Sequence, residues 1–156
     1  MKTNDMWTEQ ADRDAQILEA AERIMRRKLE RIGKISEPSE AGSYLRAHCG
    51  HAEREVFGCL FLDTRHRILS VEDLFFGTID GAEVHPREVV RRGLLLNAAA
   101  VIAFHNHPSG HLEPSAADRA LTARLKQALA LVDIRLLDHI VVSVEGHTSL
   151  AARGWV

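Results

Sequence analysis

A chain of 156 residues, 46% hydrophobic and 27% charged with 10 glycines and 4 prolines, has the composition of one folded domain with a short attachment, and it excludes collagen-like, low-complexity and disordered classes. At this length roughly two thirds of the unfolded surface is buried on folding, so no disulfide staple is needed. The 20 Lys and Arg against 22 Asp and Glu leave a net charge of -2, which disfavours non-specific duplex binding because that requires a strong basic excess to replace condensed counterions.

The N-terminal stretch MKTNDMWTEQADRD carries acids where a signal peptide needs a basic and then an apolar run. The apolar stretches fall well short of the roughly 18 residues that would suggest a membrane span. Cys49 and Cys59 lack a Cys-x-x-Cys spacing and suit unpaired thiols in a reducing compartment. The expectation is a cytoplasmic protein without a membrane partner. From Gln10 to about Ile32, the residues Ile17, Ala21, Ile24, Met25, Leu29 and Ile32 recur at three- and four-residue steps, which predicts a surface helix of about 20 residues. Ser36, Pro38 and Ser39 break that pattern, and Ala41, Tyr44, Leu45 and His48 predict a shorter helix before Gly50. Helices this small cannot bury their own apolar stripe. Residues 1–38 are therefore expected to form an arm for packing or for homodimer contact, with the main domain over 39–156.

Both faces of EVFGCLFLD, Glu55 to Asp63, carry bulky apolar groups, as in a strand covered on both sides. A turn at Asp63, Thr64 and Arg65 brings back Ile68 to Val71 as a hairpin partner. After a loop with Gly77 and Gly81, Pro86 opens a helix through Asn97, since proline at the first turn forfeits no hydrogen bond. AAAVIAF, Ala98 to Phe104, reads as a central strand ending at His105. Ser115 to Leu131, with Leu121, Leu125, Ala128, Leu129 and Val132 on one face, reads as a helix, and Leu136 to Val144 as a closing strand. Helices between apolar strands predict an α/β domain with a mixed sheet flanked by helices.

The chemistry concentrates in HNHPSGHLEPSAAD, His105 to Asp118. In extended backbone, residues two apart share a side, so His105 and His107 can face one ion. Asp118, in the first turn of the next helix, can offer a carboxylate to the same point and leave a fourth tetrahedral position open to water. Simpler readings compete. Ser115 and Asp118 also fit an S-x-x-D capping box, His107 before Pro108 fits a turn, and His105 fits a hydrogen-bonded histidine at the core edge. His111 and Glu113 compete as ligands.

His-x-His, seven residues, Ser-x-x-Asp resembles the signature of the JAB/MPN superfamily, also called JAMM. More narrowly, HPREVVRR from His85, HNHPSG from His105, EPS from Glu113 and LLDHIVV from Leu136 resemble the RadC family, over about Ser39 to Val156. The resemblance implies a cytidine-deaminase-like fold, Zn2+ held by His105, His107 and Asp118, and Ser115 beside the bound water. It also implies a catalytic glutamate on an earlier strand, which the context Glu-x-Phe places at Glu55, with Phe57 the matching aromatic. Longer RadC chains carry a helix-hairpin-helix region that the residues before Gln10 are too few to contain, so that attachment is expected to be missing or reduced. His111 stands where the family more often has an acidic or small residue, and Gly93 where alanine is more usual.

The leading expectation is a zinc-dependent metallohydrolase, a peptidase or isopeptidase with a peptide or protein substrate. Chemically, one carboxylate near the site could take a proton from water and return it to the departing amine, and Ser115 could stabilise the oxyanion. By position alone Glu53, Glu55, Glu72, Glu83 and Glu88 compete for the proton-transfer role. His85 and Arg87 are candidates for a substrate groove, and Asp138 and His139 for a structural hydrogen bond. The alternatives are a DNA-repair-associated or nucleic-acid-processing protein and a non-catalytic binding scaffold. Any nucleic-acid binding is expected to be weak and to use Arg26, Arg27 and Lys28 or Arg87, Arg91 and Arg92.

Overall fold

A computed structural model describes residues 2–32, 35–77 and 82–156. Gly81, and the side chains of Leu29 and Ile32 in the predicted stripe, lie outside the described residues. In chain order the elements are α1 (Lys2–Ile32), α2 (Pro38–Cys49), β1 (Val56–Leu62), β2 (Ile68–Phe76), α3 (Pro86–Leu95), β3 (Ala100–Asn106), α4 (Ala116–Ala130), β4 (Arg135–Val142) and β5 (His147–Ser149), followed by a 3-10 turn at Ala151–Arg153. The strands form one mixed sheet in the order β2-β1-β3-β4-β5. β1 is antiparallel to β2 and β3, β3 is parallel to β4 through the α4 crossover, and β4 is antiparallel to β5.

Every residue of β1 and of β3 is buried, because helices cover both faces of the central strands. Side-chain alternation divides the core. Leu60, Leu62, Ile102, Phe104 and Val142 pack on the α2 side with Tyr44 and Leu45, and Met25 of α1 joins them. Phe57, Cys59, Phe61, Val101 and Ala103 pack on the other side with Val89 of α3 and Leu125 and Leu129 of α4. Gly93 marks a close approach: a Cβ there would stand 2.9 Å from the Ile134 Cδ1.

Three elements differ from the expectations. α1 begins at Lys2 rather than near Gln10. Residues 2–10 contain no glycine or proline to stop a helix propagating from a formed nucleus, yet they carry too few apolar groups to show a period. β2 runs on to Phe76 because it pairs with β1 along its whole length, from Leu62↔Ile68 to Val56↔Phe76. The short β5 escapes any periodicity argument and exists by pairing with β4. Among the described residues no helix is long and apolar enough to cross a membrane.

Candidate metal centre

β3 carries His105 as its last residue but one and passes directly into His107, and α4 starts opposite with Asp118 in its first turn. His105 Nε2 and His107 Nε2 are 2.9 Å apart. Asp118 Oδ1 lies 3.2 Å from His105 Nε2, and Asp118 Oδ2 lies 3.2 Å from His107 Nε2. Tetrahedral zinc with bonds of 2.0–2.1 Å separates its donors by about 3.3 Å, so this spacing fits the ion. The three residues could hold a metal ion, with one ligand atom each all within 4.8 Å of one another.

The capping box and the carboxylate ligand coexist. The Asp118 N–H donates to Ser115 Oγ at 3.0 Å, and the Ser115 N–H donates to Asp118 Oδ2 at 2.8 Å. The box closes the first turn of α4 and in doing so aims the carboxylate at the histidines. Burial pushes the Asp118 carboxyl up, but hydrogen bonds to His105 and His107 outweigh it and hold the group far below the usual carboxylate range. His107 is raised, first by its hydrogen bond to Asp118 and against the effect of burial. Its Nδ1 lies 2.8 Å from the His111 carbonyl oxygen, which can only accept, so Nδ1 carries a proton and Nε2 is left to the site.

His105 is buried, stacks on Phe57 and has its Nδ1 2.7 Å from His139 Nε2. His139 is wholly buried, which drives its pKa well below the ordinary histidine value and keeps the ring neutral. Its other nitrogen lies 2.6 Å from Thr122 Oγ1.

Glu55 sits one residue before β1, half-buried, and lines an open cavity of about 580 Å³ with His105, His107, Asp118 and Ser115. Burial raises its pKa; His105 and His107 pull it back, the Asp118 charge adds to the rise, and a hydrogen bond from the Ala82 backbone opposes it. Asn106 holds the segment in place. Its side chain points to the opposite face from its two histidine neighbours, where Oδ1 accepts from the Val56 N–H at 2.6 Å and Nδ2 donates to the carbonyls of Ala52 and Arg54 at 3.2 and 2.9 Å.

The competing residues lie elsewhere or at the rim. Glu72 pairs with Arg92, Glu88 with Arg91 and Glu113 with Arg153, and Glu53 is exposed. Glu83 and His85 line the cavity, and His85 packs against Phe75. Arg87 faces another groove beside Leu94 and Leu95. The His111 side chain is exposed and serves the site only through its backbone. Asp138 accepts from the backbones of His139 and Ala151 and from Ser149 Oγ, tying β4 to the C-terminal turn. Sequence reasoning missed Arg124 in the cavity wall and Thr122 behind the site. Arg124 follows Asp118 by six residues, beyond the first turn where a motif is sought, and Thr122 has no motif signal at all.

Fold and geometry together define a mixed-sheet α/β domain with a JAMM-like His-His-Asp cluster at the end of its central strand. The chain belongs to the family described as the RadC-like JAB domain, which matches residues 35–155. It is 59% identical over 139 residues to a UPF0758 protein of Xanthomonas campestris pv. campestris (strain 8004), covering 89% of this chain and 62% of that protein. A UPF0758 protein of Stutzerimonas stutzeri (strain A1501) is 53% identical over 140 residues, covering 90% of this chain and 62% of the relative. The chain thus spans a little over three fifths of the length of the curated relatives it matches.

Proposed function

We propose that the protein is a zinc-dependent metallohydrolase of the JAMM type that cleaves a peptide or isopeptide bond. The observation that carries this reading is the convergence of His105, His107 and Asp118 on one point of a cavity that Glu55 also lines. Zinc held there would polarise a carbonyl and acidify a water. Glu55, whose pKa burial raises above the ordinary carboxylate value, takes the proton from the water and hands it to the departing amine. The Ser115 hydroxyl uses a lone pair for the α4 cap, so its O–H is free to donate to the developing oxyanion. The cap also keeps Asp118 in place during turnover.

The reading extends to the rest of the chain as proposal. Residues 1–38 serve as an arm for packing or homodimer contact, residues 39–156 form the hydrolase domain, and the architecture is of the cytidine-deaminase-like kind. Two buried free thiols, Cys49 and Cys59, suit a cytoplasmic setting. Duplex DNA binds weakly, since on α3 Arg92 is held by Glu72 and Arg91 pairs with Glu88.

The deciding experiment combines metal analysis of protein purified without chelators with an unbiased peptide-cleavage screen. One zinc per chain is expected in the parent and none in His107→Ala. Glu55→Gln should keep the metal and lose about 100-fold or more in cleavage rate. Equal zinc in parent and His107→Ala, or undiminished cleavage by Glu55→Gln, overturns the assignment.

A further inference from the structure

We infer that Thr122 and His139 form a buried relay whose direction selects the metal-binding tautomer of His105. The inference rests on the metal-centre reading above. His139 uses both ring nitrogens, Nε2 at 2.7 Å from His105 Nδ1 and Nδ1 at 2.6 Å from Thr122 Oγ1. A neutral imidazole has one donor and one acceptor nitrogen, so this row of three groups can run in only two directions.

In one direction the Thr122 hydroxyl donates to His139 Nδ1, and His139 Nε2–H donates to His105 Nδ1. The proton of neutral His105 then sits on Nε2, the atom that faces His107 and Asp118, and that atom has no lone pair for a cation. In the other direction His105 Nδ1–H donates to His139 Nε2, and His139 Nδ1–H donates to Thr122 Oγ1. His105 Nε2 then presents its lone pair to the site.

Thr122 Oγ1 also lies 2.7 Å from the backbone carbonyl oxygen of Asp118. A carbonyl only accepts, and a hydroxyl has a single proton, so the Thr122 proton is committed to Asp118 and Thr122 must accept from His139. The second direction is selected. Asp118 therefore acts twice, with its carboxylate at the site and with its carbonyl at the far end of the relay. Phe57, which packs edge-on against His139 at 5.6 Å and stacks on His105, brings only an apolar ring to the relay. Thr122 and His139 are positioning residues: neither lines the cavity, and both act through His105.

The test is a zinc competition titration against a chromophoric chelator at fixed pH. Thr122→Val keeps the shape of the side chain but deletes the hydroxyl, which frees His139 to adopt the opposing tautomer. Zinc affinity should fall about 10- to 100-fold, the range typical for loss of a group that orients a metal ligand. Thr122→Ser should restore it. Equal affinity in the parent and Thr122→Val overturns the inference. Imidazole 15N shifts of the metal-free parent give a second measurement that needs no variant to fold. A proton on Nδ1 of His139 and a bare Nε2 are expected, and the reverse assignment overturns the inference. A parent chain that takes up no zinc would instead sink the metal-centre reading, and the tautomer measurement would still decide the relay.

Discussion

The end of the sheet around His105 and the α1 arm are held by opposite means. Around His105, polar groups are buried and paired: His105, Asn106, Thr122, Asp138 and His139 are nearly inaccessible, and among the described residues no buried side-chain polar atom lacks a partner. In α1, Met6, Trp7 and Ile17 are 69%, 74% and 66% exposed. That helix reaches the domain through the packing of Met25 and through Glu22, which meets His48 and Tyr44 of α2. A buried network permits one arrangement because every alternative leaves a group unsatisfied, whereas an exposed helix on a few ionic contacts can be loosened without disturbing the core. The candidate chemistry lies in the first region, so the arm and the site should respond separately to perturbation.

The largest separation should come from pH. His48 lies 2.5 Å from Glu22 and 2.7 Å from Asp73, bridging α1, α2 and β2. Burial lowers its pKa, but hydrogen bonds to Asp73 and Glu22 outweigh this and raise it from 6.5 to about 9. A raised histidine stabilises the fold fully below its unfolded value, so this contribution is present below pH 6.5 and is lost as pH rises through about 9. The amount at stake is at most about 3 kcal/mol. Urea unfolding followed by circular dichroism should show it between pH 6.5 and 9.5, and His48→Gln should flatten the profile. Unchanged stability over that window would mean the arm is not held through His48.

A smaller effect is expected at the strand that carries the site. Asn106→Ala removes the acceptor from the buried Val56 N–H, at a cost of about 1–3 kcal/mol. Zinc uptake should persist, because the Asn106 side chain lies on the face away from the ligands. Chemical denaturation with metal analysis checks both, and loss of zinc from a folded variant would show that the two faces of β3 are coupled.

The smallest effect on stability belongs to Ser115, where cap and catalyst meet. Ser115→Ala should cost about 0.5–2 kcal/mol through the lost cap. A hydroxyl that also serves the oxyanion adds a fall in turnover of about 100-fold or more while zinc remains. Thermal denaturation beside single-turnover rates separates the two, with lost stability and intact chemistry rejecting the catalytic role.

The sequence by itself determined whatever depends on local period and local caps. The two-residue spacing of His105 and His107 put both rings on one side of β3, and the S-x-x-D pattern placed Asp118 in the first turn of α4, because strand alternation and capping are set within a few residues. The apolar runs from Glu55 to Asp63 and from Ala98 to Phe104 announced a strand covered on both faces and a central strand, which the fold sets at Val56–Leu62 and Ala100–Asn106. The choice of Glu55 among five glutamates rested on family resemblance, since each glutamate alone reads as a solvated residue. The tertiary structure decided what depends on distant pairing. β2 reached Phe76 and β5 formed because a partner strand supplied their hydrogen bonds. Glu72, Glu88 and Glu113 were drawn into ion pairs away from the cavity. Thr122 and His139 came behind His105 across 17 and 34 residues of chain, a convergence that no local pattern encodes because it exists only when α4 folds back between two parallel strands.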